Sequence, residues 1–117
     1  APASGMIVWS GDSGYGYGKQ VIVDAGNGIF YRVAHLNYLR FSNARQYVLQ
    51  GQTLGGCGRS GGTSTGTHLH FVVYAGASYL GGDRVSGYSV PQEGINGQWT
   101  LSIYAYYPSG QTCIRSW

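Results

Sequence analysis

The sequence predicts an all-β domain of antiparallel strands and long loops, with at most one short helix. Glycine and tyrosine are abundant, with 21 and 11 copies among 117 residues, and this composition favours turns and aromatic strands over helices. Short apolar runs alternate with glycine-rich stretches, and only 9% of the residues are charged. A chain of this length fits one domain with one hydrophobic core.

The first half of the chain is expected to contain three strands, each rich in β-branched or aromatic residues. An Asn-Gly pair lies within residues 25–28, between the second and third strands, and favours a tight hairpin turn. Residues 11–18, between the first and second strands, are rich in glycine and tyrosine and are expected to form a loop. The three strands are placed at residues 6–10, 19–24 and 29–36.

The third strand carries a histidine near its end. Because side chains alternate along a strand, His35 is expected to share a face with Ile29, Tyr31 and Val33. His35 would then be the polar residue at the end of an otherwise apolar face. A lone histidine in this position is more often a hydrogen-bonded structural residue than a ligand, so His35 alone does not indicate a site.

The second half of the chain has a less regular pattern. Residues 37–52 are polar and interrupted, and are expected to form a loop or a helical turn. A short strand at 53–58 and a loop with three glycines precede a strand at 67–74. Beyond Tyr74 the pattern loosens into turns, until a last strand is expected at 100–107.

Charge and hydropathy argue against several classes of protein. The net charge of +3 is the difference between seven basic residues, one lysine and six arginines, and four acidic ones. The basic residues are scattered and form no patch, so the sequence gives little support for nucleic-acid binding. No apolar stretch reaches the roughly 20 residues that span a bilayer, and no signal peptide is recognisable. Two cysteines, Cys57 and Cys113, permit one disulfide, which would require an oxidising compartment.

A His-Leu-His sequence lies at the start of the strand at 67–74. Since alternate residues of a strand face the same way, the imidazoles of His68 and His70 can converge on one metal ion. Alternatively, one imidazole can hold the ion while the other faces a bound water or substrate. An isolated pair of this kind is more often an ordinary polar strand face, so the spacing leaves both interpretations open.

The sequences around the histidines closely resemble the M23 peptidoglycan endopeptidases, the lysostaphin and LytM-like metallopeptidases. The segments "YRVAHLNYL" and "VLQGQTLGGCGRSGGTSTGTHLHFVVY" are similar to the family's Tyr-x-His-Leu, Gly-Gln-x-Ile-Gly and Ser-Thr-Gly-Pro-His-Leu-His-Phe motifs. The resemblance covers about residues 1–75, and the tail from about 76 is more loosely similar to the β-lytic branch. It implies a single M23-like peptidase domain over 1–117, with the duplicated hybrid motif fold of LytM.

The resemblance also implies a reaction, which is the hydrolysis of peptide cross-links in bacterial cell walls with Zn²⁺ as cofactor. His70 matches a zinc ligand, and His35 and His68 match the two histidines that flank the metal and stabilise the tetrahedral intermediate. The glycine-rich loop would form one wall of a narrow groove that suits peptidoglycan or a Gly/Ala-rich peptide. The substrate-binding residues implied are Ser64, Thr65 and Gly66. Tyrosines at positions 15, 17, 31, 38, 74 and 79 could line the groove, although aromatic strand positions more often pack in a core.

One motif of the family is missing from these 117 residues. The family's two other zinc ligands belong to a His-x-x-x-Asp motif upstream of the strand at 6–10, and no histidine precedes His35. The domain is therefore expected to be truncated at its N-terminus, with the missing ligands on a separate chain or segment. A site of three histidines, His35, His68 and His70, is chemically admissible, but the resemblance places His35 beside the metal.

Two further functions stay open at this point. A degenerate M23-like module could bind cell wall or regulate a hydrolase without chemistry of its own. A β-domain with unpaired strands could instead have a structural role and assemble through those edges. In each case the expected location is secreted, extracellular or periplasmic, and a disulfide between Cys57 and Cys113 would fit it.

Overall fold

The computed structural model is built from β-strands, and the part of the chain that it describes contains no helix, which confirms the all-β prediction. It describes residues 1–14, 16–42, 45–61, 68–90 and 114–116, with the backbone alone at 68–69, 90 and 114–116. No segment within these ranges is a helix that could cross a membrane. The strands are β1 (Gly5–Asp12), β2 (Lys19–Gly26), β3 (Ile29–Ala34), β4 (Leu36–Leu39), β5 (Tyr47–Val48), β6 (Gly55–Cys57), β7 (His68–Gly81), β8 (Arg84–Val90) and β9 (Ile114–Ser116).

The strands form one large sheet and one small one. The large sheet has the order β5-β1-β2-β3-β7-β8, and its neighbours along this path pair antiparallel. The short strand β9 pairs in parallel with the start of β7, and β4 and β6 form a separate two-stranded sheet. The central strands β2, β3 and β7 therefore carry most of the packing on both faces.

The hairpin between β2 and β3 has the turn that its sequence predicts. Asn27 and Gly28 have φ angles of 55° and 75°. Positive φ at both central residues is the requirement of the tight turn that Asn-Gly favours, and its twist matches that of the flanking strands. This turn sets the β2–β3 register, in which Val21 lies opposite Val33.

Alternation along the central strands divides their side chains between two apolar clusters. The larger cluster lies on one face and includes Tyr31 and Phe71, whose ring centroids are 6.0 Å apart. The smaller cluster lies on the other face, where Ile22 and Phe30 pack with Ala77. Polar side chains share this second face, and the candidate site is built from them.

The segment after Tyr74 is more regular than its sequence suggests, so the prediction of loose turns there is wrong. Strand β7 continues to Gly81 and forms a hairpin with β8. The register of this hairpin shifts between Ala75 and Ser78, and Gly76 has a φ of 57°. These irregularities break the alternation from which a strand is recognised. The bent hairpin brings Ala77 onto the second face, where its N–H donates to the Gly28 carbonyl at 2.8 Å.

Candidate functional site

His35 lies on the opposite face from the one that alternation predicts. Strand β3 ends at Ala34, and His35 has a φ of 60°, in the left-handed region. Alternation holds only along continuous extended backbone, so the side chain of His35 does not share the face of Val33. The imidazole stacks on that of His70, with ring centroids 5.6 Å apart and planes at 25°. Since Ala34 and His70 are register partners, the pair belongs to the second face.

Two hydrogen bonds hold the buried His35 in this conformation. Its side chain is only 2% exposed, its backbone N–H donates to the Tyr17 carbonyl at 2.9 Å, and its Nδ1 lies 2.7 Å from the Ser60 carbonyl. A carbonyl oxygen only accepts, so Nδ1 carries the proton of the neutral imidazole and Nε2 carries the lone pair. A histidine oriented in this way is prepared to bind a metal or to accept a proton through Nε2.

The Ser60 carbonyl is positioned by close packing of residues 16–18 against the loop of residues 58–61. A Cβ added to Gly18 would lie 2.5 Å from the nitrogen of Gly61, well inside van der Waals contact. The Ser60 hydroxyl accepts a hydrogen bond from the Lys19 N–H at 3.0 Å. The absence of a side chain at Gly18 thus lets the two backbones meet, and their contact places the acceptor for His35.

A tyrosine and an arginine complete the surroundings of the two imidazoles. The Tyr17 ring lies 5.2 Å from the His70 ring and 6.4 Å from the His35 ring, between centroids. The Arg32 guanidinium lies 4.2 Å from the Tyr17 centroid and 5.7 Å from that of Tyr74. Sequence reasoning assigned no role to Arg32. The sequence did carry a signal for a role, because Arg32 is a charged residue within an otherwise apolar strand. In the structure it is only 4% exposed.

The turn of the β7–β8 hairpin is tied to the same polar face through Asp83. Nη2 of Arg32 donates to the Asp83 carbonyl at 2.6 Å, and Nε2 of the buried Gln20 lies 3.4 Å from Oδ2 of the Asp83 carboxylate. Within the described chain, Nε of Arg32 and Oε1 of Gln20 have no hydrogen-bond partner. Burial raises the pKa of Tyr74 to about 12, although the positive charge of Arg32 opposes this shift.

The described side chains do not by themselves complete a zinc centre. Catalytic zinc generally takes three protein ligands, and the described ranges contain no group of three His, Cys, Asp or Glu side chains that could hold an ion. His70, the expected ligand, lies at the end of the β3–β7 pairing, opposite Ala34. His68 is two residues away on the same strand, where its backbone pairs with Ile114 of β9.

Other residues expected at the site lie partly outside the described ranges. Cys57 is buried in β6 and is not a free thiol, but Cys113 is not described, so their pairing remains a prediction. The implied substrate-binding residues, Ser64, Thr65 and Gly66, also lie outside the described residues.

Comparisons with known proteins identify relatives of the domain. The family model described as Peptidase family M23 matches residues 1–82. The catalytic domain of the prophage-encoded M23 protein EnpA from Enterococcus faecalis, in a mutant form, is 26% identical with a TM-score of 0.66, over 83% of this chain and 68% of that one. The catalytic domain of the antimicrobial peptidase lysostaphin from Staphylococcus simulans is 33% identical with a TM-score of 0.59, over 66% of this chain and 57% of that one. No curated protein sequence matches the chain.

Proposed function

The chain belongs to peptidase family M23, and we propose that it acts as a zinc-dependent endopeptidase on the peptide cross-links of bacterial peptidoglycan. The observation that carries this proposal is the stacked pair of His35 and His70, with ring centroids 5.6 Å apart, in a chain of this family. The pair brings together two residues from distant parts of the sequence, at one end of the β3–β7 pairing.

Each histidine has a distinct role in the proposed reaction. His70 holds zinc, which when bound polarises the scissile carbonyl and lowers the pKa of its bound water toward neutrality. His35, with Nδ1–H bonded to the Ser60 carbonyl, would lie beside the metal and, when Nε2 also carries a proton, stabilise the tetrahedral intermediate. His68 would accept a proton from the attacking water and deliver it to the leaving amine, and would also help to stabilise the tetrahedral intermediate.

The substrate proposed is peptidoglycan or another Gly/Ala-rich peptide. The glycine-rich loop with Ser64, Thr65 and Gly66 would form a narrow groove, in which small residues fit best. Peptidoglycan lies outside the cytoplasmic membrane, so the protein would act in a secreted, extracellular or periplasmic location. A disulfide between Cys57 and Cys113 suits that environment and would tie the C-terminal tail to β6.

The proposed zinc centre needs ligands in addition to the side chains that the structure describes. We propose that a His-x-x-x-Asp motif on another segment or chain supplies them, and that residues 1–117 form a single M23-like domain. The same shortage of ligands supports a second candidate function, a non-catalytic module that binds cell wall. The sequence encoded upstream of Ala1 distinguishes the two, because a His-x-x-x-Asp motif there supports the peptidase.

Zinc content and cell-wall hydrolysis test the proposal directly, in the full product of the gene. We expect stoichiometric zinc that is lost in His70→Ala, and loss of turbidity of a cell-wall suspension that stops in His68→Ala. Tyr88→Ala is the control, because Tyr88 is 80% exposed on β8 and should change neither result. Retention on sedimented cell walls without zinc or hydrolysis would identify the binding module. Hydrolysis that survives in His68→Ala would show that the assigned role is wrong.

A further inference from the structure

The buried guanidinium of Arg32 is the least expected group on the second face of the sheet. It sits in the middle of β3, with 4% of the residue exposed. Burial of a charged group is costly unless its surroundings compensate. The contacts that the structure describes for it are the Asp83 carbonyl and the rings of Tyr17 and Tyr74. The nearer of the two rings is that of Tyr17, with the guanidinium carbon 4.2 Å from its centroid.

Tyr17 connects this cation to the histidine pair. Its ring contacts the His70 ring at 5.2 Å with planes at 57°. Its backbone carbonyl accepts the N–H of His35. The Tyr17 ring therefore contacts both Arg32 and His70, while its backbone is held by His35.

We propose that Arg32 is a positioning residue of the site, which holds the Tyr17 ring against the imidazole of His70 and so restricts the orientation of that imidazole. A cation over a tyrosine ring is attracted by the negative face of the ring, most strongly where water is excluded. The attraction favours the orientation in which the Tyr17 ring faces the guanidinium. The functional meaning of the contact rests on the proposed role of His70 as a zinc ligand, but the contact itself does not require zinc.

A purely structural role for Arg32 makes a different prediction. Its bond to the Asp83 carbonyl anchors the β7–β8 hairpin, and this bond does not involve His70. If anchoring were the whole role, substitution of Arg32 would lower stability and leave the environment of the His70 ring unchanged. The magnetic environment of the His70 ring protons separates the two roles, because the ring current of Tyr17 acts on protons at this distance.

The test is proton NMR of the metal-free chain, with the His70 ring signals assigned. Tyr17→Leu removes the ring and should displace these signals, whereas Tyr17→Phe keeps the ring and should displace them much less. Arg32→Met, which removes the cation, is expected to reproduce most of the Tyr17→Leu displacement. Arg32→Lys, which keeps the charge without the planar guanidinium, should give an intermediate displacement. Arg84→Met is the control, since Arg84 is an exposed arginine next to Asp83.

Unchanged His70 signals in a folded Arg32→Met or Arg32→Lys chain would overturn the proposal. If both variants fail to fold, the parent chain decides the question through cross-relaxation. We expect it between the Arg32 side chain and the Tyr17 ring, and between the Tyr17 and His70 rings, and the absence of either contact would refute the proposal.

Zinc titration relates the contact to the proposed function. Outer contacts of a ligating histidine typically change metal affinity by about 10- to 100-fold, and we expect Arg32→Met to weaken zinc binding about tenfold. A parent protein that binds no zinc would count against the proposed function and leave the NMR result standing. Zinc binding with unmoved NMR signals in Arg32→Met would count against the positioning role alone.

Discussion

Substitution of Gly18 by alanine should separate the two loops that position the hydrogen-bond acceptor of His35. Gly18 has a φ of 66°, and Gly16 in the same loop has a φ of 59°. Alanine in this left-handed region costs roughly 1–2 kcal/mol at either position. The two sites differ in their surroundings, because a Cβ at Gly16 would meet nothing within 4 Å, whereas a Cβ at Gly18 would lie 2.5 Å from the Gly61 nitrogen.

The extra cost at Gly18 follows from the movement that relieves this overlap. Ordinary heavy-atom contacts lie near about 3.5 Å, so the loops would have to separate by about 1 Å. That movement would weaken two hydrogen bonds to Ser60, from the Lys19 N–H to its Oγ and from the His35 Nδ1–H to its carbonyl oxygen. With about 0.5–1.5 kcal/mol for each bond, Gly18→Ala should cost about 2–5 kcal/mol in total.

Urea unfolding followed by tryptophan fluorescence measures both variants against the parent chain. We expect Gly16→Ala to lower the free energy of unfolding by about 1–2 kcal/mol and Gly18→Ala to lower it further. In Gly18→Ala the ring signals of His35 should also shift, because its Nδ1–H partner is the Ser60 carbonyl. Equal destabilisation by the two substitutions would refute the argument from close packing.

Three further predictions concern the core, a buried phenol and the cysteines. In urea unfolding, Phe71→Ala should lower the free energy of unfolding by about 3–5 kcal/mol, because Phe71 is 1% exposed. Tyr88→Ala should have little effect, and similar losses in the two variants would contradict the assigned core. Burial raises the pKa of Tyr74 from 10.0 to about 12, so its stabilising contribution is complete below pH 10 and is lost as the pH rises to about 12. Urea unfolding across that window should show a smaller loss of stability in Tyr74→Phe than in the parent, and equal losses would refute this. If Cys57 and Cys113 pair, a thiol assay of the denatured, unreduced chain should detect no free thiol, and two free thiols would disprove the pairing.

The parts of the fold that sequence predicted are those set by local rules. The Asn27-Gly28 turn requires two positive φ angles, and its residue types supply them, so the β2–β3 hairpin could be predicted. The β7–β8 hairpin could not, because shifts of register near Ala75 and Ser78 interrupt the alternation that identifies a strand. A hairpin whose strands bend is thus missed when strands are identified by alternation alone.

The candidate site shows the same division more sharply. The sequence by itself determined the all-β class and the His-Leu-His motif of an M23 domain. Only the tertiary structure decided that His35 turns to the face of His70, and that Tyr17 and Arg32 pack around them. The physical reason is that the φ of His35 is supported by hydrogen bonds to two separate loops, through Tyr17 and Ser60. No periodicity within β3 contains that information, because those contacts join segments that are distant in the chain.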